Sequence, residues 1–333
     1  MTESNPLVER ATGGWTRHVN TQQLLVKFNL LIVFAIVCVA ATLLAPEFLS
    51  ERNLSNLLQQ SSLVGIVAIG MTVVILIAGI DLSVGSVSAF GGMLVAILIG
   101  ADFPWPLAMI FTFVVGAAFG AIMGALSSLL TLPSFMVTLA GLTSIRGLTY
   151  LTTDGKPTTS KIPEALTYLG SGKIGSVPVV GVIFIAVTII VGLVLRQTTV
   201  GEYVYAVGSN VEAARLSGLP VRTVQTLAFA VSGALAALSG ILLTARLTIG
   251  QPTAQQGLEL SAIAAVVLGG TSLFGGRGGV SGTFIAVLLL SVLSNLFNLM
   301  GLSSFFQMLV TGLILIAALI LNHLLERRGT ARA

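Results

Sequence analysis

The chain has 333 residues, of which 55% are hydrophobic and only 8% are charged, and its formal net charge is +4. A soluble domain carries about 25% charged residues. So few charges cannot cover a water-facing surface, and the composition predicts a polytopic membrane protein. The basic residues are scattered, without a basic patch interleaved with aromatic residues, which argues against binding to nucleic acid.

The hydrophobic pattern predicts an all-α fold with about ten transmembrane helices. A span needs about 20 apolar residues, and runs of that kind follow one another along most of the chain. They form a predicted membrane domain over 25–322, between terminal tails at 1–24 and 323–333. The predicted spans are residues 25–45, 57–79, 83–100, 106–130, 134–152, 178–196, 223–245, 257–274, 279–299 and 303–322.

The distribution of basic residues predicts how these spans are oriented. With the N-terminus in the cytoplasm, the cytoplasmic segments hold ten Lys and Arg residues and the outer segments hold five. An excess of basic residues marks the cytoplasmic side of a membrane protein. We therefore expect both tails to be cytoplasmic.

Two outer segments are polar enough to have a role of their own. Residues 46–56 are amphipathic and are expected to lie along the outer interface. The long loop 153–177 mixes Gly, Pro, Ser and Lys. It fits a lid or a docking surface for an external partner, or equally a plain connector.

The segment 197–222 is a polar break between two long apolar runs, on the predicted cytoplasmic side. Asn210 is a good N-cap, and two helical turns can follow it. Gly218 suits the left-handed position after a helix, and Pro220 stands where a helix must stop. Glu212 lies in the first turn, with Arg215 three residues on. The sequence predicts a short helix at 211–217, which is either part of a solvated loop or a docking helix for a soluble partner.

Two glycine-rich breaks share a pattern of Gly, one residue, a small polar residue, Leu, two residues and Gly. They lie at 78–86 and at 269–279. Related breaks in the two halves of a chain are a known feature of transporters, and these two are candidates for such a pair. The second break is not a phosphate-binding loop, because Arg277 follows Gly276 where a lysine would be needed.

The sequence gives no sign of a catalytic or metal site. Its one cysteine, Cys38, lies inside the first apolar run, and His18 and His323 lie at opposite ends of the chain. No carboxylate pair has useful spacing. We therefore expect no enzyme activity, no metal ion and no cofactor in this chain.

Asp81 is the most suggestive polar residue, because charges at membrane depth are costly and mark functional sites. It also stands just before the third span, where it could cap free N–H groups at the start of that helix. Asp81 and the neighbouring Ser83 are thus candidates for a translocation path or gate, with helix capping as the alternative for Asp81.

Four more polar residues fall within or just inside predicted spans. Arg146 needs a partner or water, and Glu259 is a similar case. Asn295 and Asn298 are three residues apart on one face of the ninth span. All four are candidates for a polar path, although the asparagines could instead bond between helices.

Glu212, Ala213 and Ala214, followed by Gly218, resemble the EAA---G loop of ABC-importer permeases, the helix that sits in a groove of the ATPase subunit. The chain differs from the longer form of that motif because Leu219 and Pro220 follow the glycine directly. On this resemblance Asn210, Glu212, Ala213, Ala214, Arg215 and Gly218 form the coupling site.

Longer stretches extend the resemblance over about residues 30–320. They are similar to the permeases for ribose, xylose and arabinose, which are relatives of the branched-chain amino-acid permeases. The matching stretches are Gly70-Met71-Thr72, 78–86, 206–210, 213–218, Gln251-Pro252 and 264–273.

The resemblance implies the membrane subunit of an ATP-driven importer for a monosaccharide, a pentose or similar sugar, in the bacterial inner membrane. Its partners would be a second permease subunit, an ATPase with two fused nucleotide-binding halves that holds ATP and Mg, and an extracytoplasmic sugar-binding protein. The alternatives are a permease for another small polar solute, namely an autoinducer-type sugar derivative, a polyol, a nucleoside or an amino acid, or a stand-alone secondary transporter.

Overall fold

The computed structural model describes residues 21–159, 161–303, 305–310, 312–314 and 316, with side chains from residue 30 onward. The predicted C-terminal tail and most of the N-terminal tail lie outside these residues. The described chain is helical nearly throughout, as predicted. Its helices are α1 (Thr21–Leu44), α2 (Glu51–Leu76), α3 (Val84–Gly100), α4 (Trp105–Leu130), α5 (Ser134–Leu151), α6 (Glu164–Ser171), α7 (Val179–Gln197), α8 (Thr199–Ser209), α9 (Val211–Leu216), α10 (Val221–Leu247), α11 (Leu258–Leu268) and α12 (Val280–Leu299).

Five of the described helices, α2, α4, α7, α10 and α12, are long and apolar enough to cross a membrane. α3 and residues 30–44 of α1 are shorter apolar helices. The predicted tenth span, 303–322, is helical at 305–310 and 312–314, and residues 317–322 lie outside the described part. These helices establish an all-α membrane protein, and the count of ten spans remains a prediction.

The predicted eighth span, 257–274, is wrong in length. α11 has 11 residues, and at 1.5 Å per residue it is about 16 Å long, roughly half of a bilayer core. Its C-cap is Gly269, and the following Gly270 has φ +83°. The N–H groups of Gly270 and Thr271 turn back to the carbonyls of Val267 and Val266, which is the Schellman ending of a helix.

The segment 46–56, predicted to lie along the outer interface, is partly helical. Its second half is the first turn and a half of α2, which begins at Glu51 with Ser50 as N-cap. The Ser50 hydroxyl accepts a hydrogen bond from the N–H of Asn53. A polar helix start next to an apolar helix reads as a separate element when only hydropathy is considered.

α10 lies at the centre of the bundle, packed against α2, α3 and α4. On α4, Gly116, Gly120 and Gly124 form one stripe, four residues apart, and face α10. A Cβ atom at Gly120 would overlap the backbone of Phe229. Small residues at such spacing let two helices approach to backbone contact within a membrane.

Short strands connect segments that the sequence predicts to lie on the outer side. β1 (Thr158–Thr159) pairs antiparallel with β4 (Ile249–Gly250), which joins the long loop to the segment after α10. β2 (Lys173–Ile174) and β3 (Val177–Pro178) form a hairpin within the long loop. The long loop therefore has local structure rather than being an irregular connector.

Candidate functional site

The segment 197–222 contains two complete helices, where the sequence predicted one. α8 precedes the predicted helix, and its N-cap Thr198 accepts a hydrogen bond from the N–H of Gly201. Asn210 is extended, at φ −162° and ψ 105°, and it is both the C-cap of α8 and the N-cap of α9. The predicted N-cap is confirmed, because the Asn210 Oδ1 accepts from the N–H of Ala213 at 2.9 Å.

The end of α9 also follows the prediction. Gly218 has φ +79°, the left-handed conformation expected of it. The N–H groups of Gly218 and Leu219 donate to the carbonyls of Arg215 and Ala214 at 3.0 and 3.1 Å. Pro220 then forms a tight turn, in which the N–H of Val221 donates to Leu219, and α10 begins at once. This turn is how the chain accommodates the departure from the longer EAA motif.

α9 presents nearly all of its surface outward. Within it, Ala214 is buried, while Glu212, Ala213 and Arg215 are exposed. The Arg215 guanidinium donates two hydrogen bonds to the Glu212 carboxylate, at 3.1 and 2.6 Å. These bonds hold the pKa of Glu212 below its usual value. Leu216 is 78% exposed, so an apolar side chain stands uncovered beside a fixed charge pair.

The loop 269–279 packs against both α8 and the end of α2. The N–H of Gly276 donates to the carbonyl of Leu76 at 2.9 Å. Glycines allow this approach, because a Cβ on Gly208 would overlap the same Leu76 carbonyl. The hydroxyl of Tyr205, on α8, donates to the carbonyl of Gly278 at 3.0 Å. The helix pair α8–α9 is thereby joined to the second glycine-rich break and to the end of α2, which leads into the first break.

The two breaks share one helix ending. α2 ends like α11, with Ala78 at φ +59° and the N–H groups of Ala78 and Gly79 bonded to the carbonyls of Ile75 and Val74. The helix endings therefore pair Ala78 with Gly270. The sequence pattern pairs Gly79 with Gly270, so the two alignments differ by one residue. The similar endings are consistent with related halves of the chain.

Asp81 lies fully buried in the first break. Its Oδ1 accepts from the N–H and the hydroxyl of Ser83 at 3.0 and 2.6 Å, and its Oδ2 accepts from the hydroxyl of Ser232 on α10 at 2.8 Å. The N-cap of α3 is Ser83 rather than Asp81. Asp81 therefore ties the unwound backbone to α10, and Ser83, itself buried, is one of its donors.

The unwound backbone beside Asp81 is bonded by α5. The N–H of Ile80 donates to the Ser134 hydroxyl at 3.0 Å, and the Thr138 hydroxyl donates to the Ile80 carbonyl at 3.1 Å. Irregular backbone within a membrane must find partners in the protein or in a water-filled cavity. Here α5 supplies them.

Arg146 and Glu259 lie near the segment that joins α10 to α11. The Arg146 guanidinium donates to the carbonyls of Pro252 and Ala254 at 3.0 and 2.9 Å, which supplies the partner that the sequence required. The Glu259 carboxylate lies against Gly85, where a Cβ would clash with it. Glu259 is thus close to the start of α3, and Arg146 fixes a loop.

The two asparagines of α12 have different partners. The side-chain amides of Asn295 and Asn53 exchange two hydrogen bonds, at 2.8 and 2.9 Å, between α12 and α2. Asn298 is exposed and accepts from the Gln307 amide at 2.7 Å. In this structure Asn295 forms the interhelical bond that the sequence left open as an alternative.

Sequence reasoning missed two features that bear on function. One is Ser232, whose bond to Asp81 joins residues 151 positions apart. The other is a polar stripe on α12, because Ser291 and Ser294 line a cavity together with Asn295. The stripe could have been found from the spacing of these residues, whereas the partner of Asp81 requires the fold.

Residues 53–319 match the family described as "Branched-chain amino acid transport system / permease component". The chain therefore belongs to this family of ABC-transporter permease components, which are transport subunits rather than enzymes.

Curated relatives match along nearly their whole length. The chain is 40% identical over 299 residues to the ribose import permease protein RbsC of Haemophilus influenzae, covering 89% of this chain and 91% of the relative. It is 35% identical to the xylose transport system permease protein XylH of the same organism, covering 91% and 96%. It is 34% identical to the L-arabinose ABC transporter permease protein AraH of Azospirillum brasilense, covering 97% and 93%. No solved structure matches the chain.

Proposed function

We propose that this chain forms the membrane path of an ATP-driven importer for a pentose or a similar monosaccharide. The family description names amino acids, but the relatives named above, which match over about nine tenths of the chain, are named for ribose, xylose and arabinose. Full-length similarity to named transporters is the stronger guide to the solute, because a family description covers many members.

The importer would contain a second permease subunit, either another copy or a close homologue. It would also contain an ATPase with two fused nucleotide-binding halves, which holds ATP and Mg, and an extracytoplasmic sugar-binding protein. The assembly would lie in the bacterial inner membrane with both tails of this chain in the cytoplasm. Contacts within the bundle support a consistent topology, because β1 and β4 pair and both fall in predicted outer segments.

The observation that carries the coupling role is the outward face of α9. Leu216 is 78% exposed, and Phe274 on the neighbouring loop 269–279 is also 78% exposed. Exposed apolar side chains beside fixed charges are typical of a protein interface. We therefore assign α9, with Glu212, Ala213, Arg215 and Leu216, as the surface that docks the ATPase.

Contacts behind α9 give a route by which its movement could reach the membrane. A displacement of α8 would act on the loop 269–279 through Tyr205 and Gly208, and from there on the end of α2 at Leu76. Both glycine-rich breaks would then respond to the same movement. In this mechanism ATP binding changes the two breaks together.

The test exploits the fact that Glu212 and Arg215 bond to each other. Glu212→Arg or Arg215→Glu alone breaks this bond and also changes the surface. The double variant Glu212→Arg/Arg215→Glu restores an exposed pair of opposite charges, which by itself stabilises the helix only weakly. The assay is ATP hydrolysis and uptake of radiolabelled D-ribose, D-xylose and L-arabinose by proteoliposomes that hold the complete transporter.

If a partner contacts these charges, both single variants uncouple ATP hydrolysis from uptake, and the double variant does not restore the coupling. If the pair only stabilises α9, the double variant transports like the wild type, and the docking assignment is wrong. Absence of uptake of all three sugars by the wild type, with uptake of an amino acid in the same assay, would overturn the sugar proposal.

A further inference from the structure

A cavity of about 210 Å3 lies between α2, α11 and α12. By the same measure one water molecule needs about 10–15 Å3, so the cavity has room for a small solute and water. Each helix contributes residues from one face. The lining residues are Leu57, Gln60 and Val64 on α2, Ser261 and Ala265 on α11, and Val287, Leu290, Ser291, Ser294 and Asn295 on α12.

Half of this lining is polar, although it lies between membrane helices. Within the described part of the chain, the side chains of Gln60, Ser291 and Ser294 have no hydrogen-bond partner. Gln60 is exposed, and Ser291 and Ser294 are half-buried, so their polar atoms are open to water or to a solute in the cavity. Polar side chains in membrane helices bond to a neighbouring helix or face a polar cavity, and these three line the cavity.

The lining contains no charged side chain. An amino acid carries a carboxylate and an ammonium group, which both need charged or strongly polar partners in a membrane site. A sugar is neutral and presents hydroxyl groups together with apolar C–H faces. The mixture of Gln and Ser with Leu and Val complements a sugar better than an amino acid.

We propose that this cavity is a sugar-binding subsite on the translocation path, which rests on the importer function proposed above. Gln60, Ser291 and Ser294 donate to and accept from the sugar hydroxyls. Leu57, Val64 and the apolar residues of α12 contact its C–H faces. Asn295 spends one N–H and one oxygen lone pair on Asn53, so we assign it a positioning role. It holds α2 against α12 at one edge of the cavity.

Cysteine labelling tests this assignment on the complete transporter. In a Cys38→Ala background, Ser294→Cys introduces one thiol in the cavity, and Ser291→Cys takes its place if that variant does not assemble. Thr188→Cys on α7 is the matched control. Thr188 is part-buried in a membrane helix, and its hydroxyl donates to the backbone carbonyl of Phe184. The probe is a charged, membrane-impermeant methanethiosulfonate, applied with and without an imported pentose during ATP turnover.

The cavity thiol should react with the probe, and the pentose should slow the reaction severalfold, while the control thiol shows neither effect. Labelling that is absent at both cavity positions, or that the pentose does not slow, overturns the subsite even where the wild type imports the sugar. If the wild type imports no pentose, the failure is that of the importer proposal instead.

Uptake gives an independent measurement. Ser291→Ala or Ser294→Ala should lower the maximal uptake rate by about two- to tenfold, which corresponds to the loss of one neutral hydrogen bond. Ser294→Leu, which fills the cavity, should lower uptake further, and Thr188→Val should leave it unchanged. Wild-type uptake by Ser294→Leu, with normal amounts of assembled protein, would also overturn the proposal.

Discussion

Replacement of Asp81, in the first glycine-rich break, distinguishes a structural role of its carboxylate from a functional one. Asp81→Asn removes the charge but keeps the shape of the side chain. Its Oδ1 can still accept from the N–H and the hydroxyl of Ser83, and its Nδ2 can donate to Ser232 where Oδ2 now accepts. The Ser232 hydroxyl is then free to bond the carbonyl one turn earlier in α10.

The expected magnitudes differ between two substitutions. Bonds to a carboxylate are roughly twice as strong as neutral ones, but a neutral amide is also less costly to bury. We therefore expect Asp81→Asn to change the free energy of unfolding by about 1 kcal/mol or less. Asp81→Ala leaves the buried N–H of Ser83 without its acceptor, which costs about 1–3 kcal/mol.

The assay combines thermal unfolding of the purified complex with sugar uptake. Asp81→Asn should unfold near the wild-type temperature and retain most uptake, and Asp81→Ala should unfold at a lower temperature. Ser232→Ala, which removes one of the three bonds, is the control of intermediate effect. If Asp81→Asn is as stable as the wild type but its uptake is near zero, the carboxylate itself is needed and the structural reading is refuted.

Three further predictions concern two glycines and the interhelical amide pair. Gly218→Val should lower coupled uptake, because the positive φ at this position costs an L residue about 1–2 kcal/mol. Gly218→Asn should retain uptake, since Asn tolerates that conformation. Gly120→Leu should prevent folding, seen as loss of monodisperse protein, whereas Gly147→Ala, which meets nothing within 4 Å, should not. Asn295→Leu leaves one face of the Asn53 amide unpaired and should lower the unfolding free energy by about 1–3 kcal/mol; an unchanged melting temperature would contradict the amide pair.

The short helix α9 was predictable because its signals are local. Asn210 caps the N–H of a residue three positions on, and Gly218 closes the helix through carbonyls three to five residues back. α8 was missed for the opposite reason. Its residues 199–209 mix polar and apolar side chains over three turns, and they lie where a loop was expected between spans.

Hydropathy also fails at a bend that remains apolar. Residues 257–274 read as one run, but α11 ends at Leu268 because the chain turns at Gly270. The partners of Asp81 and Asn295 lie 151 and 242 positions away in sequence. Polar residues of this kind can be recognised as candidates from the sequence, but their partners depend on how the helices pack.

The glycine stripe of α4 bears on how the bundle can move. Where backbone meets backbone, as at Gly120 and Phe229, few side chains are present that could change rotamer and absorb a displacement. α4 and α10 should therefore travel as one rigid body during a transport cycle. Sliding between helices is then left to seams filled by longer side chains. The seam between α2 and α12 holds a cavity lined by side chains as long as Gln60 and Leu290, so the wall with room to yield is also the wall proposed to meet the solute.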